Sequence, residues 1–130
     1  MKNIISIGKR KRAIARAVLR EGKGFVRINS VLLDVYEPEL ARMKIMEPLI
    51  LAGDIAKGVN ISIDVHGSGW QSQAEASRLA IARALVAHNK KLKKTFLDYD
   101  RHLLIADVRR NEPHKPNDSK PRKARQKSYR

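Results

Sequence analysis

The chain has 130 residues, room for one domain, and carries 28 Lys and Arg against 13 Asp and Glu, a formal net charge of +15. Self-repulsion at that charge opposes compaction unless something anionic binds, which points to nucleic acid, an anionic membrane face or an acidic protein as partner. There is no cysteine, so disulfides and thiolate metal sites are excluded. Membrane is the weakest of the three partners. No apolar run approaches the ~18 residues that span a bilayer, and the basic stretches lack the Trp, Phe and Leu face of an interfacial helix. The opening Met1 to Ile7 is too short in apolar residues for a signal peptide, whose core runs about 7–15 residues, so a cytoplasmic location is expected.

In chain order, residues 1–106 read as a globular RNA-binding domain and 107–130 as an extended basic tail. From Ala13 to Leu19, Ile14, Arg16 and Val18 alternate with Ala13, Ala15, Ala17 and Leu19, which predicts a strand with both faces partly covered. Gly22 and Gly24 supply a turn, Phe25 to Asn29 the returning strand, and Val31 to Leu33 a short extended piece. Pro38 pre-sets the first turn of a helix through Leu40, Met43 and Ile45, and Pro48 is expected to stop or kink it before an apolar turn ending at Gly53. Val59, Ile61, Ile63 and Val65 alternate cleanly with polar residues, the plainest strand of the chain.

A helix over about residues 71–89 follows, with Ala74, Ser77, Ile81, Ala84, Leu85 and His88 at helical spacing. So many small residues on one face let a helix lie close on a sheet. Leu92, Phe96, Leu97, Leu103, Leu104 and Ile105 supply the last apolar patch. Beyond Ala106, Leu, Ile, Phe and Met vanish, three prolines appear, and Ser119 to Arg130 holds six cations and no acid. That segment has nothing to bury and is expected to be extended.

Four places could carry chemistry. The block Gly8-Lys9-Arg10-Lys11-Arg12, with Arg16 beyond it, has the cation density that suits phosphates, since each contact releases condensed counterions. The plainer alternative is a solvated strand end, but the near absence of intervening acids favours phosphate. Gly67-Ser68-Gly69-Trp70-Gln71 stands between a strand and a helix N-terminus, where exposed N–H groups could hold an RNA phosphate. It falls short of a GxGxxG fingerprint and has no Walker Lys, so no nucleotide cofactor is expected, and a tight strand–helix turn explains it equally well. Trp70 either stacks on a base or packs against the sheet.

Asp98, Asp100 and His102 alternate in a way that could hold Mg²⁺ or Mn²⁺. Arg101 sits inside that run, and capping with surface ion pairing is the simpler reading, so no metal is expected. His66 and His88 read as ordinary strand and helix residues. With no base–nucleophile pair in view, neither catalytic residues nor a cofactor are expected. The fourth place is the tail. Lys120, Arg122, Lys123, Arg125, Lys127 and Arg130 are separated by small or polar residues, leaving each free to turn toward a phosphate. Six such contacts would make log K fall with log salt by a slope of roughly 4, and 12 extended residues reach at most about 40 Å.

Gly8 to Ala17, Gly22 to Asn29, Glu47-Pro48-Leu49, Val65-His66-Gly67-Ser68-Gly69, Gln73 to Ala76, Ala80 to Leu85 and Ala124 to Arg130 resemble, in this order and spacing, the S9 family of small-subunit ribosomal proteins. The ending Ser128-Tyr129-Arg130 looks archaeal or eukaryotic. The resemblance implies an α+β fold: a four-stranded mixed sheet with helices packed on it and a left-handed βαβ crossover, like domain 2 of ribosomal protein S5. It also implies a place in the head of the small (30S) subunit, among other head proteins and bound to small-subunit (16S-type) rRNA.

The residues it would carry onto that RNA are Lys9, Arg10, Lys11, Arg12, Arg16, Gly67, Ser68, Gly69, Gln71, Arg109, Arg110, Lys115, Lys120, Arg122 and Lys123. Arg125, Lys127, Ser128, Tyr129 and Arg130 would approach P-site tRNA. The stretch 113–121 departs from the family, which often has an aromatic and glycines there. A protein subunit of an RNA-processing ribonucleoprotein is the alternative, for which Arg109-Arg110-Asn111 is only a loose echo of the expected helical motif.

Overall fold

The computed structural model describes residues 2–117, 120–122 and 129. Five strands, β1 (Ile4–Arg10), β2 (Ala13–Glu21), β3 (Val26–Ile28), β4 (Val31–Leu32) and β5 (Val59–His66), form one mixed sheet in the order β1-β2-β5-β3-β4. Only β3 and β5 run parallel; the other neighbours are antiparallel. Between those two strands the chain crosses over through α1 (Glu39–Ala52) and the short α2 (Asp54–Lys57), so the two cannot be joined by a tight turn. α3 (Trp70–His88) and α4 (Leu92–Tyr99) complete the fold, which is consistent with the S5 domain 2-like class implied above.

The sheet has five strands where the resemblance implies four; all the strands read from alternation are present, and β1 is the addition. Its inner face is Ile4, Ser6, Gly8 and Arg10, with a single large apolar residue, so it gives no inward apolar alternation for a sequence to display. The reason is α3. A Cβ built on Gly8 would lie 2.0 Å from the Ala76 carbonyl oxygen and 2.7 Å from the Ala80 nitrogen, so the helix backbone rests directly on β1. Ser6 Oγ donates to the Ala80 carbonyl at 2.6 Å across the same seam. β2 continues the low floor with Ala13, Ala15 and Ala17, and α3 meets it with Ala76, Ala80 and Ala84, all fully buried. Larger Ile61, Ile63, Ile81, Leu85 and Phe96 fill the space around this seam.

Three expectations need adjusting. β2 is expected to be partly covered on both faces; all the helix packing lies on one side, leaving Arg16 and Arg20 exposed on the other, where Val18 alone is half-buried. α1 runs through Pro48 to Ala52. The ring is buried against the core, and that burial offsets the backbone bond a proline cannot make. His88, at the right spacing to pack, is exposed because α3 ends there, with the Asn89 N–H closing the last turn onto Leu85.

Side-chain amides finish the sheet where strands stop. Asn60 Oδ1 accepts from the N–H groups of Lys23, Gly24 and Phe25 at 2.9–3.2 Å, pinning the loop before β3. Asn29 both donates to and accepts from the backbone of Val65, adding a rung beyond β3.

In an ordinary strand interior, Gly→Ala stabilises by ~0.5–1 kcal/mol. At Gly8 the sign reverses, because the obstructing atoms are helix backbone: Gly8→Ala should destabilise by ~1–3 kcal/mol. Urea unfolding at fixed salt reads the difference, and a raised midpoint would contradict the close seat of α3.

Candidate nucleic-acid interface

The period of a strand sorts the basic block. Lys9 points to the open face of the sheet, Arg10 to the helix side, and Lys11 and Arg12 form the two-residue turn between β1 and β2, with Lys11 at φ 53°. Gly67 abuts that turn: a Cβ there would lie 2.5 Å from the Arg12 carbonyl, and φ is 84°. Only glycine allows both the approach and the angle. The β1–β2 turn and the loop Gly67-Ser68-Gly69 therefore share one end of the sheet. Gln71 is exposed in the first turn of α3, and no side chain caps that helix N-terminus. Gln73 Nε2 donates back to the Gly67 carbonyl at 3.1 Å. Trp70 is 40% exposed, leaving part of its ring open to solvent.

The root of the tail arrives at the same end. Arg110 Nη1 donates to the Lys11 carbonyl at 2.8 Å. Arg83, from α3, donates to the carbonyls of Leu104 (3.1 Å) and Ile7 (2.9 Å), tying the segment after α4 to β1. Lys9, Lys11, Arg12 and Arg16 make no ion pair or side-chain hydrogen bond among the described residues, and all four are exposed.

Arg10 differs. Its Nε donates to Glu75 Oε2 at 2.6 Å, and its Nη1 stands 3.1 Å from Asp107 Oδ2 as an ion pair without hydrogen-bond alignment. Lys44 holds the other Glu75 oxygen at 3.1 Å. Beside them Arg78 joins Glu47 and Asp100. Asp100 also caps the 3₁₀ turn Arg101–Leu103 through the His102 N–H at 2.9 Å, the local capping and ion pairing expected of that cluster. Among the described residues no group of three or more His, Asp or Glu could hold a metal ion.

The ion pairs set the carboxyls. Burial pushes Glu75 up, but the hydrogen bonds and charges of Arg10 and Lys44 outweigh it and hold the group below its ordinary 4.5. On Asp100, burial is likewise overcome, by the His102 N–H and by Arg78. The guanidinium of Arg109 grips Asp107 with Nε at 3.0–3.1 Å and Nη2 at 2.7 Å, and with the Arg109 N–H it holds that carboxyl far below the usual range. Sequence reasoning did not find this network. Glu75 and Arg78 lie one turn apart on α3, but their partners Arg10, Lys44, Glu47 and Asp100 stand 22 to 65 residues away, and no local spacing links them.

Farther out, Arg122 Nε pairs with Glu112 at 2.7 and 2.9 Å, while Lys115 and Lys120 are exposed. Arg109-Arg110-Asn111 lies outside any helix or strand. Tyr129 is exposed. Lys123, Arg125, Lys127, Ser128 and Arg130 lie outside the described residues.

A carboxyl depressed by folding stabilises above its unfolded value and loses that contribution as pH falls through the folded one. Unfolding midpoints should therefore drop as pH falls below 4.5. Glu75→Gln should lower stability at neutral pH and flatten the curve in that acid window. Parallel curves for the two proteins would remove Glu75 from this role.

Comparison with known proteins agrees with this geometry. The family model described as "Ribosomal protein S9/S16" matches residues 8–130. Proteins named small ribosomal subunit protein uS9 from Methanococcus maripaludis strain C7 and from Methanococcus vannielii are 50% and 49% identical to this chain, each alignment covering 100% of both sequences. A likeness of that extent leaves no segment of the chain unaccounted for, and the chain belongs to the S9/S16 family of ribosomal proteins.

Proposed function

We propose that this chain is a structural constituent of the small ribosomal subunit in the cytoplasm. In this reading residues 1–106 form the globular domain that binds small-subunit rRNA, and 107–130 form a basic tail whose last residues contact P-site tRNA. The role is non-catalytic, in keeping with a family of ribosomal structural proteins.

The observation that carries the reading is a convergence. The unpaired cations of the β1–β2 turn, the glycine loop before α3 and the root of the tail meet at one end of the sheet. Phosphates approaching there meet Lys11, Arg12 and Arg110 together with backbone donors of the uncapped helix N-terminus. Arg10 and Arg109, engaged by carboxylates, serve the interface by holding the tail root. Lys115, Lys120, Arg122 and Lys123 continue the rRNA contacts outward, and Arg125 to Arg130 reach the tRNA. The RNA-processing reading gains nothing, since the motif it needs is helical and Arg109-Arg110-Asn111 is not in a helix.

Sucrose-gradient fractionation of a source lysate at moderate and high salt, followed by mass spectrometry, tests the assignment. Near one copy per small subunit, surviving the salt wash, is expected; migration with free protein or with another RNA sinks it. Deleting residues 128–130 should leave subunit assembly intact and weaken P-site tRNA roughly tenfold, about one charge-assisted contact of ~1.5 kcal/mol. Equal affinity in truncated and full-length subunits would exclude the tail from that site.

A further inference from the structure

The face of the sheet away from the helices carries a group of apolar side chains on its β1–β2 side. Ile5 and Ile7 on β1 are 54% and 47% exposed, Ile14 on β2 is 38% exposed, and Val18 beside it is half-buried. Ile5 stands opposite Val18, and Ile7 lies diagonal to both Ile14 and Val18, within the reach at which cross-strand side chains touch. Four β-branched side chains thus make one continuous patch across two strands.

Cations stand among and around these side chains, with Arg16 directly opposite Ile7. Lys9, Arg16, Arg20 and Arg27 are exposed and have no ion pair or side-chain hydrogen bond among the described residues. Asp64, directly opposite Arg16 on β5, forms no ion pair with it.

Exposed isoleucines interleaved with unpaired arginines have the composition of a protein interface, where Arg is enriched. RNA would leave the aliphatic side chains unsatisfied. Isoleucine and valine offer no donor to phosphate and no plane on which a base can stack, and on β1, β2 and β5 the one ring of this face is His66, beside Ile14 at one end of the patch. A segment with aliphatic side chains along its middle would cover the four apolar residues, and carboxylates at its margins would meet the unpaired cations.

We propose that this open face is the docking surface for an acidic, aliphatic segment of another protein, one that lies flat across β1 and β2. The inference rests on the ribosomal reading above only for where the partner is sought, among proteins of the same particle. It goes beyond that reading in assigning the surface. The turn and tail root meet RNA, while the sheet face meets protein.

Site-specific photocrosslinking tests it, with Ile7→p-benzoylphenylalanine and, separately, Ile5→p-benzoylphenylalanine in full-length chain assembled in cells. Both positions are about half exposed, so either ring can be accommodated without entering the core. Irradiation should yield a covalent adduct to a protein, and the linked peptide should carry aliphatic residues flanked by Asp or Glu. Adding Arg16→Glu and Arg20→Glu should lower that yield at least fivefold. Crosslinks to RNA from both positions, no adduct from either, or a linked peptide without acidic residues would overturn the proposal. The gradient position of the photoreactive chain is read separately. Failure to sediment with small subunits would strike the ribosomal assignment, while the chemistry of the adduct, in whatever fraction, decides the docking face.

Discussion

Everything else in this fold depends on how closely α3 lies on β1. With Gly8 below it and Ala76 and Ala80 facing down, the helix backbone replaces what would elsewhere be a layer of side chains. A close helix makes short reaches possible. From α3, Glu75 meets Arg10, Arg78 meets Glu47 and Asp100, and Arg83 touches the carbonyls of both Ile7 and Leu104. A helix standing off by one more methyl layer would put those carbonyls beyond hydrogen-bond distance. The packing seam and the polar seam are consequences of the same small residues.

That polar seam also divides the charge. Glu47, Glu75, Asp100 and Asp107 are all taken up by Arg10, Lys44, Arg78 and Arg109 along one side of α3. Partly buried pairs of this kind are close to neutral in their effect on stability, but removing one partner leaves a charge without compensation. Their organising effect is larger. By gathering acids there, the fold leaves the turn at Lys11 and Arg12 and the sheet face at Arg16 and Arg20 without an ion pair among the described residues. The +15 of the sequence is thereby concentrated on surfaces that face outward.

The strands from Ala13, Phe25 and Val59 and the long helix were legible because alternation and 3.6-residue spacing are local patterns. β1 was not, since its inward residues are small for a reason that lies about 70 positions away in α3. The same blindness affected the candidate interface. Four basic residues in a row read as one patch, but a strand sends neighbours to opposite faces, so Lys9 and Arg10 have different lives. The S9 resemblance carried what local pattern could not, namely the class of fold. Neither route disclosed Asp107, whose role exists only once the chain has returned to β1.

That return explains why a basic tail should need a folded body at all. A free cationic peptide would bind phosphates with the same counterion release, but each orientation of the chain would have to be lost on binding. Here the first residues of the tail are already held. Leu104 is fixed by Arg83, Asp107 sits between Arg10 and Arg109, and Arg110 grips the turn that itself presents Lys11 and Arg12. A phosphate engaged by that turn raises the effective concentration of the next phosphate for Arg110 and for the cations beyond it, which is the arithmetic of linked sites applied within one chain. The direction in which the tail leaves is then a property of the fold, inherited through Arg10 from the seat of α3 on Gly8.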